Sequence, residues 1–251
     1  MKVIEANPIL HDSYVTMIFD VETNGLLNRK NIPRLDDCPY VLQLSYVLYD
    51  VNNKRLIKTF DTYIKIPEYI SVSPEVTKIN GITKQHCEEK GYPILDVLCE
   101  FYKDYHKCSH IIAHNYKFDS AMLNIEFQRN WEFVKYSCTY ALNLFQPVYL
   151  RSLNMRYKCT MMDSTEVCKL PHPIKPDSLP KKVVPEKETY KKVSYKWPTL
   201  TELYKHLFQV EPTGMHNSMM DVLVTLRCHL LIDYKYTYNV EQFENLIKDT
   251  L

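Results

Sequence analysis

The spacing of apolar positions divides the chain into a strand-rich start and a longer part in which helix and strand alternate. Residues 14–20 (YVTMIFD) form a short apolar run ending in an acid, and 40–51 and 55–66 are two further strand-like stretches. Between the last two, Asp50-Val51-Asn52-Asn53-Lys54 has hairpin chemistry, so three antiparallel strands are expected to open the fold. The period then changes. Ile94, Leu95, Val97, Leu98, Phe101, Tyr102 and Tyr105 recur at helical spacing behind Pro93, a residue suited to a first turn, and His110–His114 follows as a buried strand. Helices are expected over about 117–130, 199–208, 218–233 and 240–249, with a fifth strand at Lys158–Asp163. The Tyr, Leu and Phe content of 133–157 reads as one more helix. Hairpin strands followed by alternation predict an α/β fold: one mixed five-stranded sheet, three antiparallel strands then two parallel, flanked by helices.

Composition narrows this picture. At 251 residues and 45% hydrophobic, the chain has apolar material for a real core and is read as a single domain over 1–251, with an extended segment at about 131–157. A net charge of +1, from 31 basic and 30 acidic residues, excludes a uniformly basic binder and leaves polyanion contact to local patches. One such patch stands out. Residues 169–197 carry five prolines and eight lysines against three acids, which forbids a continuous helix and makes the insert locally basic. It reads either as a solvated loop or as an arm along a phosphate backbone, with Lys181, Lys182, Lys191 and Lys192 as the contacts.

The four glycines, Gly25, Gly81, Gly91 and Gly214, are too far apart for a two-glycine phosphate cradle of the dinucleotide-binding or P-loop kind. The eight cysteines form no CxxC pair and the start, MKVIEANPILHDSY, has no apolar signal core, so free thiols in a reducing, intracellular compartment are expected. No apolar run approaches the roughly 18 residues of a membrane span, so the chain is expected to be soluble, without a membrane partner. His106, Cys108 and His110 look like half a zinc site, but no second half follows.

Candidate chemistry sits at three places. In an extended strand residues i and i+2 face the same way, so Asp20 and Glu22 of DVETNG present two carboxylates side by side. Such a pair either ends a strand in solvent or shares a divalent cation, since Mg²⁺ and Mn²⁺ prefer carboxylate oxygen. Asp119 of HNYKFD falls in a first helical turn, which the helix dipole favours with or without a metal. His216 and Asp221 of HNSMMD stand at the entrance of a helix, where Ser218 and Asp221 also fit an S-x-x-D cap. The H-x₄-D spacing occurs at 114/119, 172/177 and 216/221, but the middle pair lies among prolines and opens no element.

Taken in order along the chain, these segments resemble the motifs of the DEDDh exonucleases, the proofreading branch of the ribonuclease H-like superfamily. DVETNG is similar to the family's first motif, AHNYKFD to its second and HNSMMD to its third. Asn80-Gly81-Ile82-Thr83 behind the helix start Ser73-Pro74-Glu75, together with Cys159-Thr160-Met161 and Tyr195-Lys196-Trp197-Pro198, resembles further stretches of the polymerase-III-epsilon-like group. The resemblance covers about residues 14–233, and the compact motifs also resemble copies carried by large DNA viruses. It implies a 3′–5′ exonuclease that frees nucleoside monophosphates from single-stranded or frayed DNA ends by a two-metal-ion mechanism. In that mechanism two Mg²⁺ or Mn²⁺ ions are held by Asp20, Glu22, Asp119 and Asp221, Asp20 bridges both, and His216 is the general base. Thr23, Asn24, Gly25, Leu26 and Asn115 are the implied substrate contacts, Leu26 against the terminal base. An RNA-trimming exoribonuclease and a catalytically silent nucleic-acid-binding module of the same fold are the competing readings; all five catalytic groups are present, which weighs against the silent module. Association with a polymerase and the oligomeric state are left open.

Overall fold

The structure, a computed structural model, describes residues 14–27, 34–173 and 194–251. Five strands form one sheet in the order β3-β2-β1-β4-β5: β1 (Val15–Thr23), β2 (Val41–Asp50), β3 (Arg55–Tyr63), β4 (His110–Ala113) and β5 (Arg156–Cys159). β1 and β3 each pair antiparallel with β2, while β4 runs parallel to β1 and β5 parallel to β4. The mixed sheet expected from the sequence is therefore present, with β1 at its centre.

Two apolar layers cover the sheet, and strict alternation decides which β1 residue meets which layer. Met17, Phe19 and Val21 face α3 (Ile94–Tyr105) and α4 (Tyr116–Arg129), where Phe101, Tyr105, Leu123 and Phe127 are buried. Ile18 points the opposite way, into a core built by α9 (Leu200–Phe208), α10 (Ser218–Tyr234) and α11 (Val240–Thr250). Asp20 and Glu22 share the parity of Ile18, so both carboxylates emerge on the α10 face. The β1/β2 register slips between Glu22 and Thr23, a bulge that ends pairing beside the second carboxylate.

Three sequence expectations change. The fifth strand covers 156–159, and Thr160–Asp163 turns into the short helix α7. β4 offers only four partners, from His110 opposite Arg156 to Ala113 opposite Cys159, so β5 stops where its template stops. Residues 133–157 form no single helix but α5 (Trp131–Val134), a 3₁₀ turn at Ala141–Asn143 and α6 (Pro147–Ser152). Val134, Cys138, Ala141 and Leu144 are buried at helical spacing, which is the signal the sequence carried. Val134, Tyr136, Thr139, Tyr140 and Phe145 are poor helix formers, however, and Pro147 restarts the chain as a new first turn. The third change is that two consecutive short helices, α1 (Pro74–Asn80) and α2 (Lys84–Lys90), follow β3 where only the start at Ser73 was expected. Ser73 caps α1 and Gly81 ends it at φ 73, a conformation that suits glycine. The remaining helix, α8 (Thr165–Cys168), leads to the basic insert, whose Lys181, Lys182, Lys191 and Lys192 lie outside the described residues.

The His106–His110 cluster holds no metal-like arrangement. His106 bonds Tyr102 O and Tyr149 Oη, Cys108 donates to Asp104 O, and His110 pairs with Tyr14 Oη at 2.8 Å.

Candidate active site

Three elements deliver the acidic groups to one place. β1 brings Asp20 and Glu22, α4 brings Asp119 in its first turn, and α10 brings Asp221 in its first turn. The positive ends of the α4 and α10 dipoles are thus aimed at the carboxylates. α10 is held there by a direct tie: Ser218 Oγ donates to the main-chain carbonyl of Asp20 at 2.8 Å, and Ser218 N–H reaches Gln43 Oε1 at 3.4 Å. Asn217 fills the cap position that the S-x-x-D pattern assigned to Ser218, accepting from Met220 N–H at 3.2 Å. Its amide carbonyl satisfies the helix end, which releases the serine hydroxyl for the strand.

Glu22, His216 and Asp221 each place a ligand-capable atom within 4.8 Å of the others. His216 is exposed and sits at φ 66, and its N–H approaches Asp221 Oδ1 at 3.4 Å. Gly214, two residues earlier, has φ +70. A side chain there would meet strain, so this is one of the places where the chain needs glycine. Asn80, at the end of α1, donates to Glu22 Oε2 at 3.4 Å. It stands in the quoted N-G-I-T segment, but its own contact with the carboxylate was not foreseen; Gln43 and Ser218 were missed for the same reason, because a tie between distant elements leaves no local pattern.

The carboxylates repel one another in a dry setting. Burial raises Asp20 to about 7, partly offset by the Ser218 hydroxyl. Burial and then Asp20 raise Glu22 to about 8, and burial with Asp20 and Glu22 raises Asp221 to about 9. Asp119 is pushed well above its ordinary value by burial and by the same two neighbours. Asp20 Oδ2 and Asp119 Oδ2 are buried and have no hydrogen-bond partner among the described residues. Buried acceptors without donors, of one charge and all oxygen, are the donor set that a hard divalent cation fits.

The other expected contacts fall around this cluster in different ways. Thr23 Oγ1 donates to Gly25 O at 2.7 Å, closing the turn after β1. Asn24 serves the scaffold: its N–H donates to Tyr40 O, its Oδ1 accepts from Tyr40 N–H at 2.7 Å and its Nδ2 donates to Ser71 O. Leu26 is 87% exposed, an apolar side chain with nothing over it among the described residues. Asn115 occupies the cap position of α4 without using its side chain as a cap. His114 does not join the acids. Its Nδ1 contacts Thr160 Oγ1 at 3.0 Å and its Nε2 the Pro198 carbonyl at 3.1 Å, and burial lowers it to about 4, so it is a neutral tie between β4, α7 and the start of α9. Of the H-x₄-D pairs, the one at 216/221 brings both members to the site.

The sequence profile of the exonuclease family (RNase_T) matches residues 17–228, a span that contains every acid of the cluster. The chain belongs to the exonuclease family. No curated protein sequence matches it. Among solved structures it is similar to Escherichia coli exonuclease I in complex with a dA16 oligonucleotide, at 17% identity and a TM-score of 0.58, covering 94% of this chain and 43% of that one. Exonuclease I with a 5cy-dT13 oligonucleotide matches at 18% and 0.60, and the zinc-bound form of the exonuclease I–ssDNA complex at 16% and 0.59, with the same coverage of both chains. At such identity the likeness is one of fold, and this chain spans less than half the length of those chains.

Proposed function

We propose that this chain is a 3′–5′ exonuclease, a phosphodiester hydrolase of the DEDDh type that releases nucleoside monophosphates from single-stranded or frayed DNA 3′ ends in a metal-dependent hydrolysis. The observation that carries the reading is that Asp20, Glu22, Asp119 and Asp221 lie close enough to act on one another's charge, with Glu22 and Asp221 beside His216 and one buried oxygen each of Asp20 and Asp119 unpartnered among the described residues. Asp20, Glu22, Asp119 and Asp221 would hold two Mg²⁺ or Mn²⁺ ions, which when bound supply charge neutralisation at the scissile phosphate and an acidified water. The zinc-bound form of the E. coli complex supports a divalent-cation site in this fold.

The chain's own groups then divide the work. His216, exposed beside Glu22 and Asp221, takes the proton of the attacking water as general base. Its loop position, two residues after Gly214, lets the ring approach once substrate is seated. Asn80 orients Glu22, and the Ser218 tie fixes the spacing of Asp221 from Asp20. The turn at Thr23–Gly25 shapes the floor for the terminal nucleotide, and the exposed Leu26 offers an apolar surface for an unpaired base. The single-stranded oligonucleotides bound by the structural relatives support the same class of substrate.

The deciding experiment follows labelled DNA and RNA oligonucleotides of matched sequence, single- and double-stranded, with Mg²⁺ and with chelator. Stepwise loss of mononucleotides from the 3′ end of single-stranded DNA, abolished by chelator, is expected. Preference for RNA would turn the reading to an exoribonuclease, and activity in chelator would overturn the metal dependence.

A further inference from the structure

Outside the carboxylate cluster, two nucleophilic side chains face each other. Cys99, half-buried on α3, and Cys138, buried in the turn after α5, have sulfurs 3.5 Å apart, with the Cys138 S–H donating to Cys99 Sγ. We propose that Cys99 and Cys138 form a dithiol site that a peroxide converts into a disulfide linking α3 to the 131–152 segment.

The two sulfurs are unequal in a way that sets the order of events. Cys99 is the one that solvent reaches, and the Cys138 S–H, helped by Lys103, holds its thiol below its ordinary value against the effect of burial, which favours the thiolate there. Cys138 is 1% exposed and is reached from Cys99 rather than from water. In the first step the Cys99 thiolate attacks a peroxide oxygen, the O–O bond breaks, and hydroxide leaves and is protonated to water, giving a sulfenic acid. In the second the Cys138 sulfur attacks that sulfenic sulfur, the S–O bond breaks, and the hydroxyl departs with the Cys138 proton as a second water. Two thiols are oxidised and one peroxide is reduced. A disulfide needs its sulfurs about 2 Å apart, a closure of about 1.5 Å from the present contact.

The remaining cysteines lack this arrangement. Cys38, Cys108 and Cys159 donate to the carbonyls of Arg34, Asp104 and His114, and Cys87, Cys168 and Cys228 are buried. The bridge would close a loop containing β4 and α4, so the oxidised chain should be the more heat-resistant form. Neither cysteine belongs to the acidic site, so exonuclease activity should be the same in both forms.

The test treats the reduced, full-length protein with equimolar hydrogen peroxide and counts thiols after denaturation. The count should fall by two, non-reducing peptide mapping should recover residues 99 and 138 in one linked species, and thermal denaturation should shift upward. Cys138→Ser and Cys138→Ala should stop at a sulfenic acid on Cys99 that dimedone traps, and Cys99→Ser should slow peroxide consumption at least about tenfold. An unchanged thiol count, a bridge between other cysteines, or a Cys99→Ser protein oxidised as fast as the parent would overturn the proposal.

Discussion

Ser218 reaches across the molecule to the backbone of Asp20, its hydroxyl 2.8 Å from the carbonyl oxygen. The bond joins the entrance of α10 to the middle strand and so sets how far Asp221 stands from Asp20. Ser218→Ala removes one buried hydrogen bond and should cost about 1 kcal/mol of stability. The turnover number should fall more than the Michaelis constant rises, because what loosens is the spacing of acids and not the nucleotide floor. Steady-state kinetics beside a denaturant titration separates the two; an unchanged turnover number would show that the tie holds only the fold.

Replacing a carboxylate by its neutral isostere should have opposite effects on activity and on stability. Asp20→Asn or Asp221→Asn removes one member of a crowded like-charge cluster, so the metal-free protein at pH 8 should melt higher than the parent. Mononucleotide release should be lost in both. A variant that keeps full activity would remove that residue from the site.

The pH profile of the metal-free protein follows from the same repulsion. The folded chain holds protons on Asp20, Glu22 and Asp221 up to about 7, 8 and 9, whereas the unfolded chain releases them near 3.8, 4.5 and 3.8. Between those limits the folded state binds more protons, so the stability these groups contribute is full below about pH 4 and is lost as pH rises toward 9. Melting temperature without metal should therefore decline from pH 5 to pH 9. Millimolar Mg²⁺ should raise it more at the alkaline end, and equal shifts at both ends would count against metal binding by these groups.

Removing the imidazole tests the base. His216→Ala should lower the rate by about 10²- to 10⁴-fold while leaving the Mg²⁺-induced shift in melting temperature in place. Loss of that shift would instead make His216 a ligand, which its distance to Glu22 and Asp221 also permits.

Far from the acids, Asp104 is completely buried and accepts from Tyr46 Oη at 2.6 Å, Lys58 Nζ at 2.5 Å and Lys107 Nζ at 2.6 Å. Burial alone would raise it, but Lys107, Lys58 and Tyr46 outweigh burial and hold it below its ordinary value. Its contribution is therefore present above the usual carboxylate range and disappears as pH falls through the lowered value. Asp104→Ala leaves the Tyr46 hydroxyl without its acceptor and Lys58 with Glu100 alone, and should cost about 3 kcal/mol. Because Lys58 and Lys107 are partly exposed, rehydration will soften that figure. Urea denaturation measures it directly.

The four acids of the cluster were readable in the sequence because each stands at a punctuation mark: Asp20 and Glu22 where an apolar run ends, Asp119 and Asp221 where helices begin. What was not readable depends on partners far along the chain. A serine at a helix entrance looks like a cap whether or not it is one; only the strand 198 positions away diverts the Ser218 hydroxyl. α2 buries little more than Cys87, so it has no apolar stripe to announce it, and it rests on the Thr83–His86 capping box instead. In 133–157 the burial period was genuine, but aromatic and β-branched residues break the backbone into single turns that the period does not register.

The junction of β1 with α10 has a further consequence, for safety. The first acids of the site are at positions 20 and 22 and the last at 221, so no contiguous fragment short of nearly the whole fold holds the full set. On the proposed function, a nascent or clipped chain that lacks β1 or α10 would lack part of the acid set, which would confine the hydrolytic hazard to molecules whose two ends have come together.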